Sequence, residues 1–96
     1  MSRAARLNDK STGHDACAPV PLVSASGDVF INGRGAARIG DSFAPHSCHV
    51  HPSHSGTVAS GSLSVFINGR GAARLDDSVS CGGSIAEGSG DVWIGG

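Results

Sequence analysis

Apolar residues along this chain fall into short β-branched runs separated by Gly and polar residues. Nowhere do they recur at i, i+3, i+4 and i+7, so no amphipathic helix is predicted. Two runs stand out, Val29-Phe30-Ile31 and Val65-Phe66-Ile67, with a third, Val92-Trp93-Ile94, near the end. Such residues favour strands. The first two runs are followed by Asn-Gly-Arg-Gly, where Asn and Gly tolerate positive φ and let the chain reverse. Ala-Ala-Arg-Ile or Ala-Ala-Arg-Leu then predicts a short second strand. The segments between are rich in Gly, Ser, Pro and His and read as loops. The expectation is an all-β chain of short hairpins.

The pattern is an internal repeat. Residues 29–39 recur as residues 65–75, with ten of eleven positions identical and only Ile39 exchanged for Leu75. The first half of the unit returns as Val92-Trp93-Ile94-Gly95-Gly96, and the second half is already present as Ala4-Ala5-Arg6-Leu7. A chain that begins and ends inside a unit holds three copies in circular order, at roughly 3–33, 34–69 and 70–96. Repeats of this length mark repeated supersecondary units. A split copy suits a closed, pseudo-threefold object better than an elongating solenoid. One domain over residues 1–96 is expected, with no effector extension.

Composition adds a constraint. Leu, Ile, Val and Phe make up 20 of 96 residues, and Gly alone accounts for 15. The apolar core is therefore thin, and a small thin core needs a disulfide, a metal or a partner. Three Cys, an odd number, argue against a closed disulfide framework. Net charge is −1, with no basic patch, which argues against a nucleic-acid partner. The N-terminus lacks a signal-peptide pattern, and no apolar run approaches a membrane span. Synthesis in the cytoplasm, with any export by another machine, is expected.

Metal is the staple that the residues suggest. His14 lies eight residues after Arg6, His46 eight after Arg38, and Cys81 seven after Arg74. One candidate ligand thus occupies a matching place in each unit, and a pseudo-threefold axis would bring the three together. A tetrahedral zinc site needs a fourth ligand. His54, before Ser55-Gly56, is the first choice, with His51 next and His49 close enough to compete. Imidazole and thiolate donors suit Zn²⁺, and four protein ligands make a closed, structural site. Cys17 and Cys48 are read as bystanders.

The residues Gly33 to Asp41, together with Arg3-Ala4-Ala5-Arg6 and Gly69 to Arg74, resemble the proline-alanine-alanine-arginine signature of the PAAR family. The resemblance covers essentially the whole chain. It departs at the proline, replaced by Arg3, Gly35 and Gly71, and at Asp76, which stands where the middle copy has Gly40. The resemblance implies a small cone with a triangular β base and a loop-rich vertex clamped by zinc, held by three His and one Cys. The motif positions carry over as His14, His46, His54 and Cys81. It further implies a tip protein capping a trimeric β-helical spike (VgrG-like, or a phage tail spike), one chain per trimer. Such a tip travels on a type VI secretion system or a contractile phage tail. It pierces membranes without spanning them and can attach secreted effectors non-covalently.

A small zinc hydrolase is the rival class. It would need an open metal position and a general base. Glu87 is the only Glu, and no H-E-x-x-H motif occurs. Asp9, Asp41 and Asp77 follow each Ala-Ala-Arg and are expected to make local turn hydrogen bonds. No catalytic residue is therefore assigned.

Overall fold

The computed structural model describes residues 1–13, 18–48 and 51–96, with the backbone alone for 46–48 and 51–54. Among the described residues there are eight short strands and no helix. They are β1 (Ser2–Arg3), β2 (Phe30–Ile31), β3 (Arg34–Gly35), β4 (His46–Cys48), β5 (His51–His54), β6 (Phe66–Ile67), β7 (Arg70–Gly71) and β8 (Trp93–Ile94). All pairing is antiparallel: β2 with β3, β6 with β7, β4 with β5, and β8 with β1. The third hairpin of the repeat is thus assembled from the two halves of the split copy. Arg3 lies opposite Trp93, as Gly35 lies opposite Phe30 and Gly71 opposite Phe66.

The turns form as the sequence requires. Asn32 and Gly33 adopt φ of 54° and 77°, and Asn68 and Gly69 adopt 54° and 78°. Two consecutive positive φ values give the tight turn that matches strand twist. The return strand differs from the sequence expectation. It is Arg34–Gly35 and Arg70–Gly71, not Ala-Ala-Arg. A two-residue turn closes at once, so the residues directly after Gly33 and Gly69 pair, and the alanines run on to a different partner.

That partner is the neighbouring unit. The amide of Ala5 donates to the carbonyl of Ala73, Ala73 to Ala37, and Ala37 to Ala5, each at 3.0 Å. The three bonds close a ring about the pseudo-threefold axis. Only a methyl fits here: Ala4, Ala5, Ala36, Ala37, Ala72 and Ala73 are all fully buried. Two apolar layers flank the ring. Ala4, Ala36 and Ala72 pack with Ile31, Ile67 and Ile94 on one side. Ala5, Ala37 and Ala73 pack with Leu22, Val58, Ile85, Phe43 and Val79 on the other. The chain measures 37 × 23 × 23 Å, and two equal short extents are what a threefold object about its long axis requires.

Each unit is locked by its Arg and Asp. Asp9 accepts bonds from the amide, Nε and Nη2 of Arg6, and the same geometry holds for Asp41 with Arg38 and Asp77 with Arg74. The carboxylates are buried, so these are charge-assisted, bidentate pairs in a dry setting. Hydrogen bonding to Asp41 and Asp77 holds the Arg38 and Arg74 guanidinium groups above their ordinary pKa. A second guanidinium from the next hairpin reaches two of the three: Arg34 to Asp9 at 2.6 Å and Arg70 to Asp41 at 3.0 Å. Ser2 occupies that place at the third unit. The residue before each Asp sits at φ of 75° (Asn8), 91° (Gly40) or 74° (Asp76), so Asp76 keeps the turn that Gly40 makes.

Candidate metal centre and exposed aromatic face

Beyond the second apolar layer the three units differ in loop length. Residues 12–21 join Ser11 to Leu22, residues 44–57 join Phe43 to Val58, and residues 80–84 join Val79 to Ile85. The last loop is a tight reversal, with Val79 donating to Gly83 and Gly82 to Val79. Cys81 sits within it, half-buried and with its thiol free.

The other two loops close around this turn. A Cβ on Gly56 would stand 2.7 Å from Cys81 Sγ and 2.7 Å from Val79 Cγ1, so the thiol rests directly on the Gly56 backbone. A side chain at Gly83 would collide with the Gly13 carbonyl and Thr12 Oγ1, and Thr12 Oγ1 accepts the Ser84 amide at 3.1 Å. In the middle loop, β4 and β5 pair with His46 opposite His54. Gly56 is two residues beyond His54, and Gly13 immediately precedes His14. His14, Cys17 and His49 lie outside the described residues. His46, Cys48, His51 and His54 are placed by backbone only. Among the described residues no group of three His, Cys, Asp or Glu side chains is gathered.

The opposite end of the molecule carries aromatics. Phe30 is 60% exposed, Phe66 61% and Trp93 47%, at matching positions on the three hairpins. Strand alternation explains this, because Ile31, Ile67 and Ile94 turn inward and their neighbours must turn outward. Charges nearby are already partnered. Asp28 accepts from Asn68 at 2.9 Å, and Asp91 from Asn32 at 2.8 Å. Arg34 and Arg70 are committed to Asp9 and Asp41.

A family model described as PAAR motif matches residues 49–96, half of the chain. The chain belongs to the PAAR-motif family. No curated protein matches it. PAAR-motif proteins are spike-tip proteins of contractile injection systems, with a structural and not an enzymatic role. In this PAAR-motif chain the motif alanines form the central ring and the motif arginines form the Asp clamps. The local turn hydrogen bonds expected of Asp9, Asp41 and Asp77 are present, from the amides of Arg6, Arg38 and Arg74. What sequence spacing missed is that each carboxylate is buried and also pairs with the guanidinium of the same Arg. The exact recurrence of Arg-x-x-Asp at 6–9, 38–41 and 74–77 was the signal that could have found them.

Proposed function

We propose that this chain caps a trimeric β-helical spike, seating its Phe30, Phe66 and Trp93 face on the spike end, one chain per trimer. The observation that carries the reading is the closed alanine ring. One chain presents three matched hairpins about one axis, as a threefold partner end would demand. Large apolar side chains held outward at three matching corners suit a docking face. Strand ends of a spike would otherwise leave backbone groups unpaired, and a cap removes that exposure.

At the far end the proposal assigns a structural zinc to His14, His46, His54 and Cys81. Support comes from the placement of Cys81 on Gly56, of Gly13 beside Gly83, and of His46 across from His54. Cross-strand Cα atoms lie about 4.5–5.5 Å apart, which is within reach of one ion. Neutral imidazole and thiolate are the donors zinc prefers, and a full tetrahedron leaves no position for substrate. The metal would tie three loops of unequal length into one tip. Driven by contraction, such a tip concentrates force on a membrane. Among the described residues no helix is long and apolar enough to cross one.

The test is the mass of the purified complex with its spike. A ratio of one chain to one trimer is expected, and three chains per trimer would overturn the reading.

A further inference from the structure

Threefold equivalence lets the three corners of the aromatic face be compared position by position. At two corners the hairpin pair is Phe30 with Gly35 and Phe66 with Gly71. At the third it is Trp93 with Arg3, and the Arg3 guanidinium carbon stands 5.2 Å from the Trp93 ring centroid. The turn that adjoins each corner differs in the same sense. It is Ser89-Gly90-Asp91 beside β2–β3 and Ser26-Gly27-Asp28 beside β6–β7, fastened there by Ser89 to Asn32 and Ser26 to Asn68. Beside β8–β1 it is Ser62-Leu63-Ser64, fastened by Leu63 N to Gly96 O at 2.8 Å and Ser62 Oγ to Gly95 O at 2.7 Å.

At matching positions one corner therefore carries Trp93, Arg3 and Leu63 where the other two carry Phe, Gly and Gly. Leu63 is 84% exposed, so folding gains nothing from its side chain. A single exposed Leu would be ordinary. This one stands at the corner that also carries the exposed Trp. Arg3 is held in place, because its Nη1 donates to the Ser89 carbonyl at 3.1 Å and the guanidinium stacks over the ring. Binding energy at interfaces concentrates in a few residues, with Trp and Arg over-represented.

We propose that the Trp93–Arg3–Leu63 corner is the anchor of the docking face, so that one of the three identical spike chains is gripped more tightly than its two copies. The inference rests on the docking reading above. Its occupant is an apolar recess on one spike chain, continuous with the surface met by Phe30 and Phe66. A symmetric trimer offers that recess three times and has it filled once, which makes the capped spike asymmetric.

Affinity of purified variants for the purified spike trimer tests this, with melting curves to confirm folding. Trp93→Ala should weaken binding at least tenfold and Leu63→Ser about fivefold. Phe30→Ala and Phe66→Ala should each cost threefold or less. Leu63→Ser keeps the test decisive if Trp93→Ala fails to fold, because the Leu63 turn is held by its backbone and by Ser62. Binding by Leu63→Ser as tight as wild type, or losses at Phe30 or Phe66 matching that at Trp93, would overturn the anchor and leave the docking face standing. Unchanged affinity in all four variants would overturn the docking face itself.

Discussion

Asn68 Nδ2 donates to Asp28 Oδ1 at 2.9 Å, tying the turn of one hairpin to the segment that leads into another. The same Asn68 accepts Ser26 Oγ at 2.7 Å and Arg38 Nη1 at 2.9 Å through its Oδ1. Asn32 repeats the arrangement with Asp91, Ser89 and Arg6. At the third seam both members change together. Gly95 offers its backbone carbonyl to Ser62 and Arg74 in place of the Asn side chain, and Ser64 stands where the others have Asp. An Asp with no Asn to donate to it would be a lone charge, so the joint exchange is consistent chemistry.

Acid should loosen two of the three seams. Hydrogen bonds from Asn68 and Ser26 hold Asp28 below its ordinary pKa, and those from Asn32 and Ser89 do the same for Asp91. A lowered folded-state pKa contributes stability above the unfolded value, lost as pH falls through the folded one. The expected loss therefore begins below about pH 4. Melting temperature against pH should fall less steeply there for Asp28→Asn with Asp91→Asn than for wild type. Identical slopes would remove these carboxylates from the acid response.

The Arg–Asp clamps predict a ranking. Removing a buried ion-pair partner costs about 3–5 kcal/mol, because the other charge is left uncompensated. Asp9→Ala and Asp41→Ala strand two guanidinium groups each, and Asp77→Ala strands one. Arg34 and Arg70 are more than a third exposed, so the second group adds only about 0–1 kcal/mol. Urea midpoints should place Asp77→Ala as the mildest of three severe variants.

Zinc content tests the metal assignment. About one zinc per chain is expected, lost in His14→Ala, His46→Ala, His54→Ala and Cys81→Ala and retained in His49→Ala. Acid should release it, since ligating imidazole must be neutral and thiolate ionised. Gly56→Ala approaches the same site from the backbone. Its methyl group would displace Cys81 Sγ and Val79, costing about 1–3 kcal/mol through overpacking and lowering metal content. Gly27→Ala, which meets open space, is the control. Retention of metal by His14→Ala alongside its loss in His49→Ala would discard the ligand set.

Pairing of the split hairpin predicts tolerance to circular permutation. Met1 Cγ lies 3.6 Å from where a Gly95 Cβ would stand, so the two ends meet. Joining them through a short Gly-Ser linker and opening the chain between Asn68 and Gly69 should preserve the fold and the spike affinity. A permutant that stays unfolded would mean that the three hairpins are not interchangeable.

Hairpin turns were legible because Asn-Gly announces positive φ wherever it stands. The split third copy was legible because its two halves match residues 29–33 and 36–39. The return strand was misread, since Ala-Ala-Arg looks like the second arm of its own hairpin, whereas its backbone bonds to the neighbouring units. The second guanidinium on Asp9 was hidden for the same reason, because Arg34 reaches it across 25 residues, which local turn chemistry does not reveal. At the loop end, counting from each Arg singled out Cys81, whose thiol rests on Gly56. No spacing rule announces the difference between Leu63 and its glycine counterparts, because its meaning lies in what binds it.

Ring closure also governs when the molecule can fold. Ala5 bonds to Ala73, Ala4 to Val92, and Ser2 pairs with Ile94. A chain growing on a ribosome therefore holds its first strand unpaired until Trp93 and Ile94 have emerged. Contacts of such long sequence separation slow folding to the millisecond-to-second range typical of non-local β topologies. The middle hairpins can form early, but the object with three corners exists only once β8 reaches β1.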